Sequence, residues 1–229
     1  TNSAVTLDHV QWHSTRTNLI WFQDSSLTVR DCVFPNISHS EHVRGIGIRL
    51  GGELVFERNR FGTTTGYSDI FDVSGGNRPG PILELYDNEF HGGGDDGLDL
   101  DGMDAHIEGN TFHGFHKSNP STGLAAAITT GRHNGKASEI TVVRNLFYDS
   151  DHHILIKEGG RLEATNNTFF GATLGAIAFD EPMREIEMPR GARLIGNIFT
   201  QNKVDLHHLS PRWLEQNWVW LHVFDSIIR

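Results

Sequence analysis

Three observations predict an all-β chain wound as a single-stranded parallel β-helix, a solenoid of about eight coils over residues 1–205. An Asn followed two places later by Phe recurs along the chain, at Asn59/Phe61, Asn88/Phe90, Asn110/Phe112, Asn145/Phe147, Asn167/Phe169 and Asn197/Phe199. Two apolar residues stand five and three places before each Asn, as in Leu83/Leu85 and Ile140/Val142. An alternating run follows each Phe, and several of these runs end at glycine (Gly75, Gly102, Gly131, Gly159).

Taken in order, two degenerate copies open the chain: Val10/Trp12, and Cys32/Phe34 with Cys32 in the Asn position. From Trp12 to Phe199 the aromatic spacings are 22, 27, 29, 22, 35, 22 and 30 residues, so 22 is the bare unit and the excess is loop. The paired apolar residues are two apart, which puts both on one face of a strand, with Glu84, His106, Glu163 and Arg193 between them facing water. The runs Ile46–Arg49, Leu98–Asp101, Ile154–Lys157 and Ile177–Asp180 supply a second strand per unit. A leucine-rich repeat shares the Leu-x-Leu-x-x-Asn-x-Phe core, but it follows its strand with a helical segment rather than a period-two run. Stacked coils ~4.8 Å apart place a Phe ladder in the core. An Asn ladder lies at a bend, because Asn tolerates left-handed backbone and stacked amides bond between coils.

Residues 206–229 read as a C-terminal cap or a truncated final coil. Ser210-Pro211 is a helix start, with Ser as N-cap and Pro first inside. The ending Ser226–Arg229 is similar to Ser26–Arg30, which precedes a Phe motif, so an end-to-end or larger-chain partner is expected at this coil. The chain starts on Thr1 without a methionine, as an excised or processed fragment does.

A formal charge of −10 argues against nucleic acid and anionic membrane as partners. The single cysteine excludes an internal disulfide, and the lack of a long apolar run predicts no membrane span.

The densest chemistry is Gly94-Asp95-Asp96-Gly97-Leu98-Asp99-Leu100-Asp101. With Asp72 one coil below, its aspartates repel one another, which raises their pKa values or calls for a hard cation, Ca²⁺ being the one expected. Asp72, Asp95, Asp96, Asp99 and Asp101 are the metal candidates, and Asp95, Asp96, Asp99 and Lys157 the catalytic ones. Alignment of the second strands sets Asp101 beside Thr129 and Lys157, and Asp72 and Asp99 beside Ala127. Asp101, His113, His116, His152, His153, Asp180 and Arg184 complete a substrate-binding set around that face. The loops Lys117–Gly123, Gly131–Lys136 and Met183–Arg190 are expected to wall it. A solvated acidic face that discourages edge-to-edge association accounts for the same aspartates without chemistry.

The Asn-x-Phe coils with Gly-Asp-Asp-Gly-Leu-Asp resemble the right-handed parallel β-helices of the pectate-lyase-like superfamily. Gly94-Asp95-Asp96 is similar to the Gly-Asp-Asp of polygalacturonases, where aspartates act as acid and as base on water. Ile156-Lys157 is similar to the tail of their Arg-Ile-Lys, with Leu155 in the Arg place, and Asp151-His152-His153 resembles part of the epimerases' Asp-Pro-His-Asp. The resemblance implies a secreted or cell-surface protein, acting as a polysaccharide lyase or glycoside hydrolase. A non-catalytic glycan-binding or structural module of a larger protein is the alternative.

Overall fold

In a computed structural model the described residues are 1–13, 18–117, 124–179, 189–207 and 221–228. They form three parallel ladders of short strands and, among them, no helix. The chain is a parallel β-helix. The expected helix start at Ser210 lies outside the described residues.

The first ladder is built from the paired apolar residues, in unbroken register from coil to coil. Leu7, Val29, Phe56, Leu85, Ile107, Val142, Ala164, Leu194 and Val223 lie one above the next. All but the outermost of these side chains are buried, because period-two alternation turns them inward while their neighbours meet water.

The second ladder carries the Phe stack. Phe34, Phe61, Phe90, Phe112, Phe147, Phe169 and Phe199 pair in sequence, with centroids 4.3–5.0 Å apart and planes within 23° of parallel. Trp12 extends the stack at 4.2 Å from Phe34. Ile228 continues the register beyond Phe199.

At the bend between these ladders the six asparagines are buried, and each amide donates to the next Oδ1 at 2.9–3.1 Å. The same oxygens accept the backbone N–H of the preceding Asn, so amide and main chain are satisfied together. Cys32 ends the ladder, its N–H donating to Asn59 Oδ1 at 3.0 Å. Left-handed backbone is needed at this bend, but one residue before the Asn. It falls on Asp31, Arg58, Asp87, Gly109, Arg144, Asn166 and Gly196, with φ between +52° and +73°. The amide stacking, not backbone tolerance, explains the recurring Asn.

The third ladder runs from Ile20–Arg30 through Val43–Ile48, Phe71–Gly76, Leu98–Met103, Ala126–His133, His152–Ile156 and Gly175–Phe179 to Leu206–His207. Its register differs from the sequence alignment by two residues. Asp99 lies beside Thr129 and Asp101 beside Gly131, because Thr130 takes the inward place next to Leu100. Thr130 is tolerated inside because its hydroxyl accepts the Lys157 N–H at 3.0 Å. Asp72 lies beside Arg44.

Leu221–Phe224 and Ile227–Ile228 add a further rung to the first and second ladders. Their inward-register residues Val223 and Ile228 are 41% and 53% exposed. No helix of the described residues is long and apolar enough to cross a membrane.

Candidate active site on the third sheet

One outward column of the third sheet reads Trp21, Arg44, Asp72, Asp99, Thr129, Leu155. Charge and aromatic surface are confined to its first four positions. Arg44 pairs with Asp72 at 3.2 Å, and Trp21 is 59% exposed at the column's end. Lys157 reaches toward Asp99, Nζ to Oδ1 3.8 Å, while that oxygen is hidden from solvent and accepts no hydrogen bond. Asp101 sits on the next coil's Gly131, where a Cβ would come within 1.7 Å of its carboxylate, so a side chain there would displace that carboxylate.

At the turn that enters this sheet, Asp69, Asp95 and Asp96 bring carboxylate oxygens within 4.8 Å of one another. Two of them cap the coil ahead. Asp69 Oδ1 accepts the Asp96 N–H and Asp96 Oδ1 accepts the Ala126 N–H, both at 2.9 Å. Asp95 pairs with the buried ammonium of Lys117, which lies 4.7 Å over the ring of Tyr67, itself 63% exposed. Asp151 anchors the start of the Lys117 loop, accepting from Lys117 N–H at 2.9 Å, His116 Nδ1 at 3.0 Å and Thr173 Oγ1 at 2.7 Å.

Burial separates these carboxyls from the ordinary range. Asp69 and Asp96 are pushed up by burial first and by neighbouring aspartates, with Lys157 opposing at Asp96. Asp99 rises to about 7, driven by burial, opposed by Lys157 and reinforced by Asp96, Asp101 and Asp72. Asp72 and Asp101 are raised by burial too. Lys157 is held protonated: burial opposes its charge, but Asp99, Asp96 and Asp101 outweigh it. Asp151 goes the other way, its hydrogen bonds outweighing burial.

The Asp99 shift has a consequence for stability. A folded pKa above the unfolded 3.8 favours the protonated form. That contribution is whole below pH ~4 and lost as pH rises through about 7. Asp99→Asn keeps the neutral shape, so it is expected to be more stable than the parent at pH 8 and equal to it at pH 4. Three pH units correspond to ~4 kcal/mol in a dry site; with the side chain 22% exposed, about 2 kcal/mol is expected. Urea titrations of both proteins at the two pH values measure this, and the buried histidines common to both cancel. A constant difference across pH would mean that Asp99 does not titrate with folding.

The expected site residues divide accordingly. Asp95, Asp96, Asp99, Asp101 and Lys157 gather with Asp72 on or beside this sheet, and His116 supports its entering turn. His113 does not: it meets His91 edge-on and stacks on Tyr148 on the second sheet's outer surface. His152 and His153 lie fully buried in strand His152–Ile156, not in an exposed turn. His153 packs near Phe147 and Phe169 with its pKa driven to about 3 by burial, and His152 Nδ1 bonds the Gly175 carbonyl at 2.9 Å. His42 is buried too, against Phe34 and Phe61. Asp180 and Arg184 lie outside the described residues.

Sequence reasoning gave no site role to Asp69, Trp21 and Tyr67, placed Lys117 only in a walling loop, and met Asp151 only in the likeness to the epimerase motif. A signal existed for Asp69: Asp69-Ile-Phe-Asp-Val and Asp96-Gly-Leu-Asp-Leu share one pattern, 27 residues apart.

Fold and site together define a parallel β-helix with a buried-carboxylate cluster on one open sheet face. Residues 70–220, about two thirds of the chain, match the family described as right handed beta helix region, and the chain belongs to that family. A comparison with curated proteins finds no match.

Proposed function

We propose that the protein is a secreted or cell-surface carbohydrate-active β-helix, of the pectate-lyase-like kind, that cleaves a polysaccharide on its third sheet. The observation that carries the reading is the set of carboxyls with split proton affinities around Asp99, next to the ammonium of Lys157. A protonated carboxyl can donate to a glycosidic oxygen while an ionised one activates water. Hydrolysis suits this set better than elimination, since a Lys157 held protonated is a poor base and a good partner for a substrate anion. Exposed Trp21 and Tyr67 offer ring surface for sugars near the acids. The test is a panel of polysaccharides, followed by reducing-end release and by absorbance of unsaturated products. New reducing ends without unsaturation support hydrolysis; unsaturation replaces it with a lyase; no product on any glycan removes the enzyme reading.

A specific observation favours the scaffold alternative. Asp69 and Asp96 each cap a backbone N–H, which is a structural use of a carboxylate.

Ca²⁺ is part of the proposal. Asp69, Asp95 and Asp96 supply close-set hard oxygens, and the proton affinities of Asp69 and Asp96, raised by burial first and then by neighbouring aspartates, are ones a cation would lower. Lys117 occupies Asp95 and competes with a metal there. Ca²⁺ at about 100 times its Kd is expected to stabilise the fold by ~2.7 kcal/mol, reversed by chelator and lost in Asp95→Asn. Melting indifferent to Ca²⁺ and chelator would leave Lys117 as the only counter-charge at Asp95.

The exposure of Val223 and Ile228 at core positions supports a partner strand at that coil.

A further inference from the structure

A basic groove runs along the first sheet, on a different side of the solenoid from the acids. A pocket of ≈ 310 Å³ is lined by Arg78, Asp104, Lys136, Glu139 and Arg190. It shares Arg78 and Glu139 with a second pocket of ≈ 180 Å³ that adds Arg161 and Glu163. Arg161 continues into a third, of ≈ 200 Å³, with Arg193 and His222. Glu163, Arg193 and His222 stand on successive rungs, as do Glu139 and Arg161. From the Leu83 rung to the Leu221 rung the trough spans ~24 Å at ~4.8 Å per coil.

The charges do not cancel. Each carboxylate has one arginine: Asp104 with Arg78 at 3.7 Å, Glu139 with Arg190 at 2.9 Å, Glu163 with Arg161 at 3.2 Å. Lys136 and Arg193, both exposed, have no ion pair among the described residues. Among the described residues the groove's lining therefore carries an excess of positive charge, on a chain whose formal charge is −10. Two of its donors are also fixed in place: Arg78 is held by the Glu139 and Ala105 carbonyls at 3.0 and 3.4 Å, and Arg190 by the Gly159 carbonyl, while the hairpin that pairs Lys136–Ala137 with Arg132–His133 sets the Lys136 backbone beside them. Donors fixed beforehand lose little entropy when a ligand docks.

We infer that this groove binds a linear anionic polysaccharide, independently of any chemistry on the third sheet. Lys136 and Arg193 meet its carboxylates or sulfates, and the arginines fork onto its oxygens. Glu139 and Glu163 accept from sugar hydroxyls between the anionic groups. The same two glutamates would repel the continuous phosphates of DNA, which offers no hydroxyl-bearing stretch between its charges for them to meet.

Affinity electrophoresis through gels holding polygalacturonate, heparin, neutral dextran or oligothymidylate tests the inference, with folding checked by thermal melting. Retention by polygalacturonate or heparin, weakening with salt, is expected, and the stronger of the two names carboxylate or sulfate as the group read. Lys136→Glu with Arg193→Glu is expected to weaken it at least about tenfold, as reversal of two contact charges should. Lys203→Glu, away from the groove, and Asp96→Asn are expected to leave it intact, which separates this site from the proposed catalytic face. The inference is overturned by no retention on either anionic gel, by stronger retention on oligothymidylate, or by equal losses in the Lys203 and groove variants.

Discussion

Asp96→Asn and Lys157→Ala each lower turnover on the cleaved polysaccharide by about 10²–10⁴-fold while the coils stay folded, as loss of an acid–base group should. Asparagine keeps the Oδ1 that accepts the Ala126 N–H, so the capping bond survives and only proton transfer is lost. That makes Asp96→Asn a sharper test than truncation, which would also uncap the coil ahead. In Lys157→Ala the strand is held by the Thr130 hydroxyl bonding the Lys157 backbone, and the change falls on the charge facing Asp99. The Asp99 carboxyl, without that opposing charge, should titrate higher still, moving the alkaline side of the pH–rate profile upward in whatever activity remains. Glu89→Gln, exposed on the second sheet, is the control expected to retain full turnover. Measured kcat and KM on the cleaved glycan decide it. Full activity in Asp96→Asn would make that carboxyl a cap and nothing more, and would place the catalytic groups elsewhere.

The first two ladders were legible residue by residue because every coil repeats one inward pattern: two apolar residues, Asn, Phe. Nothing else in the chain competes for those positions, and the spacing of 22 recurs often enough to separate unit from loop. The third ladder was legible only in outline. Its register depends on Thr130, a polar residue in an inward place that is satisfied by a main-chain bond no sequence pattern displays. His152 and His153 misled for the same reason. Polarity put them outside, yet they occupy a strand whose turn has already ended at Asp151. The acids themselves announced the face, but the partners that tune them are long-range. Lys117 reaches Asp95 across 22 residues, and Asp151 reaches the Lys117 backbone across 34. Both contacts depend on how a loop returns over the turn, which periodicity does not specify. Trp21 joins the face only once the register of the first strand is known. The basic groove was partly in view: Lys136 and Arg190 lie in loops expected to wall the acidic sheet, and the structure turns them to the first sheet instead.

Phe112→Ala is expected to destabilise the fold by about 4 kcal/mol, from the cavity left by a buried ring and the loss of two ring contacts. Phe112 is fully buried and lies between Phe90 at 4.4 Å and 4° and Phe147 at 5.0 Å and 7°, near the middle of the stack. In a solenoid each coil contacts only its neighbours, so a hole here weakens two interfaces at once. The adjacent rings are held by their own strands and by the Asn ladder, so they cannot close over the gap. Phe199→Ala is the informative contrast. Phe199 stacks on Phe169 at 4.8 Å, but its other neighbour is the half-exposed Ile228. One interface is lost rather than two, and the outermost rung can fray without the rest. A cost of about 2 kcal/mol is expected there, with hydrogen-exchange protection lost only in the last coils. For Phe112→Ala the loss of protection should spread to both sides of the coil, because the array is severed at its centre. Urea titration gives the two free energies and amide exchange gives their reach. Equal costs and equal reach would mean that the stack behaves as one cooperative body rather than as a chain of neighbour contacts.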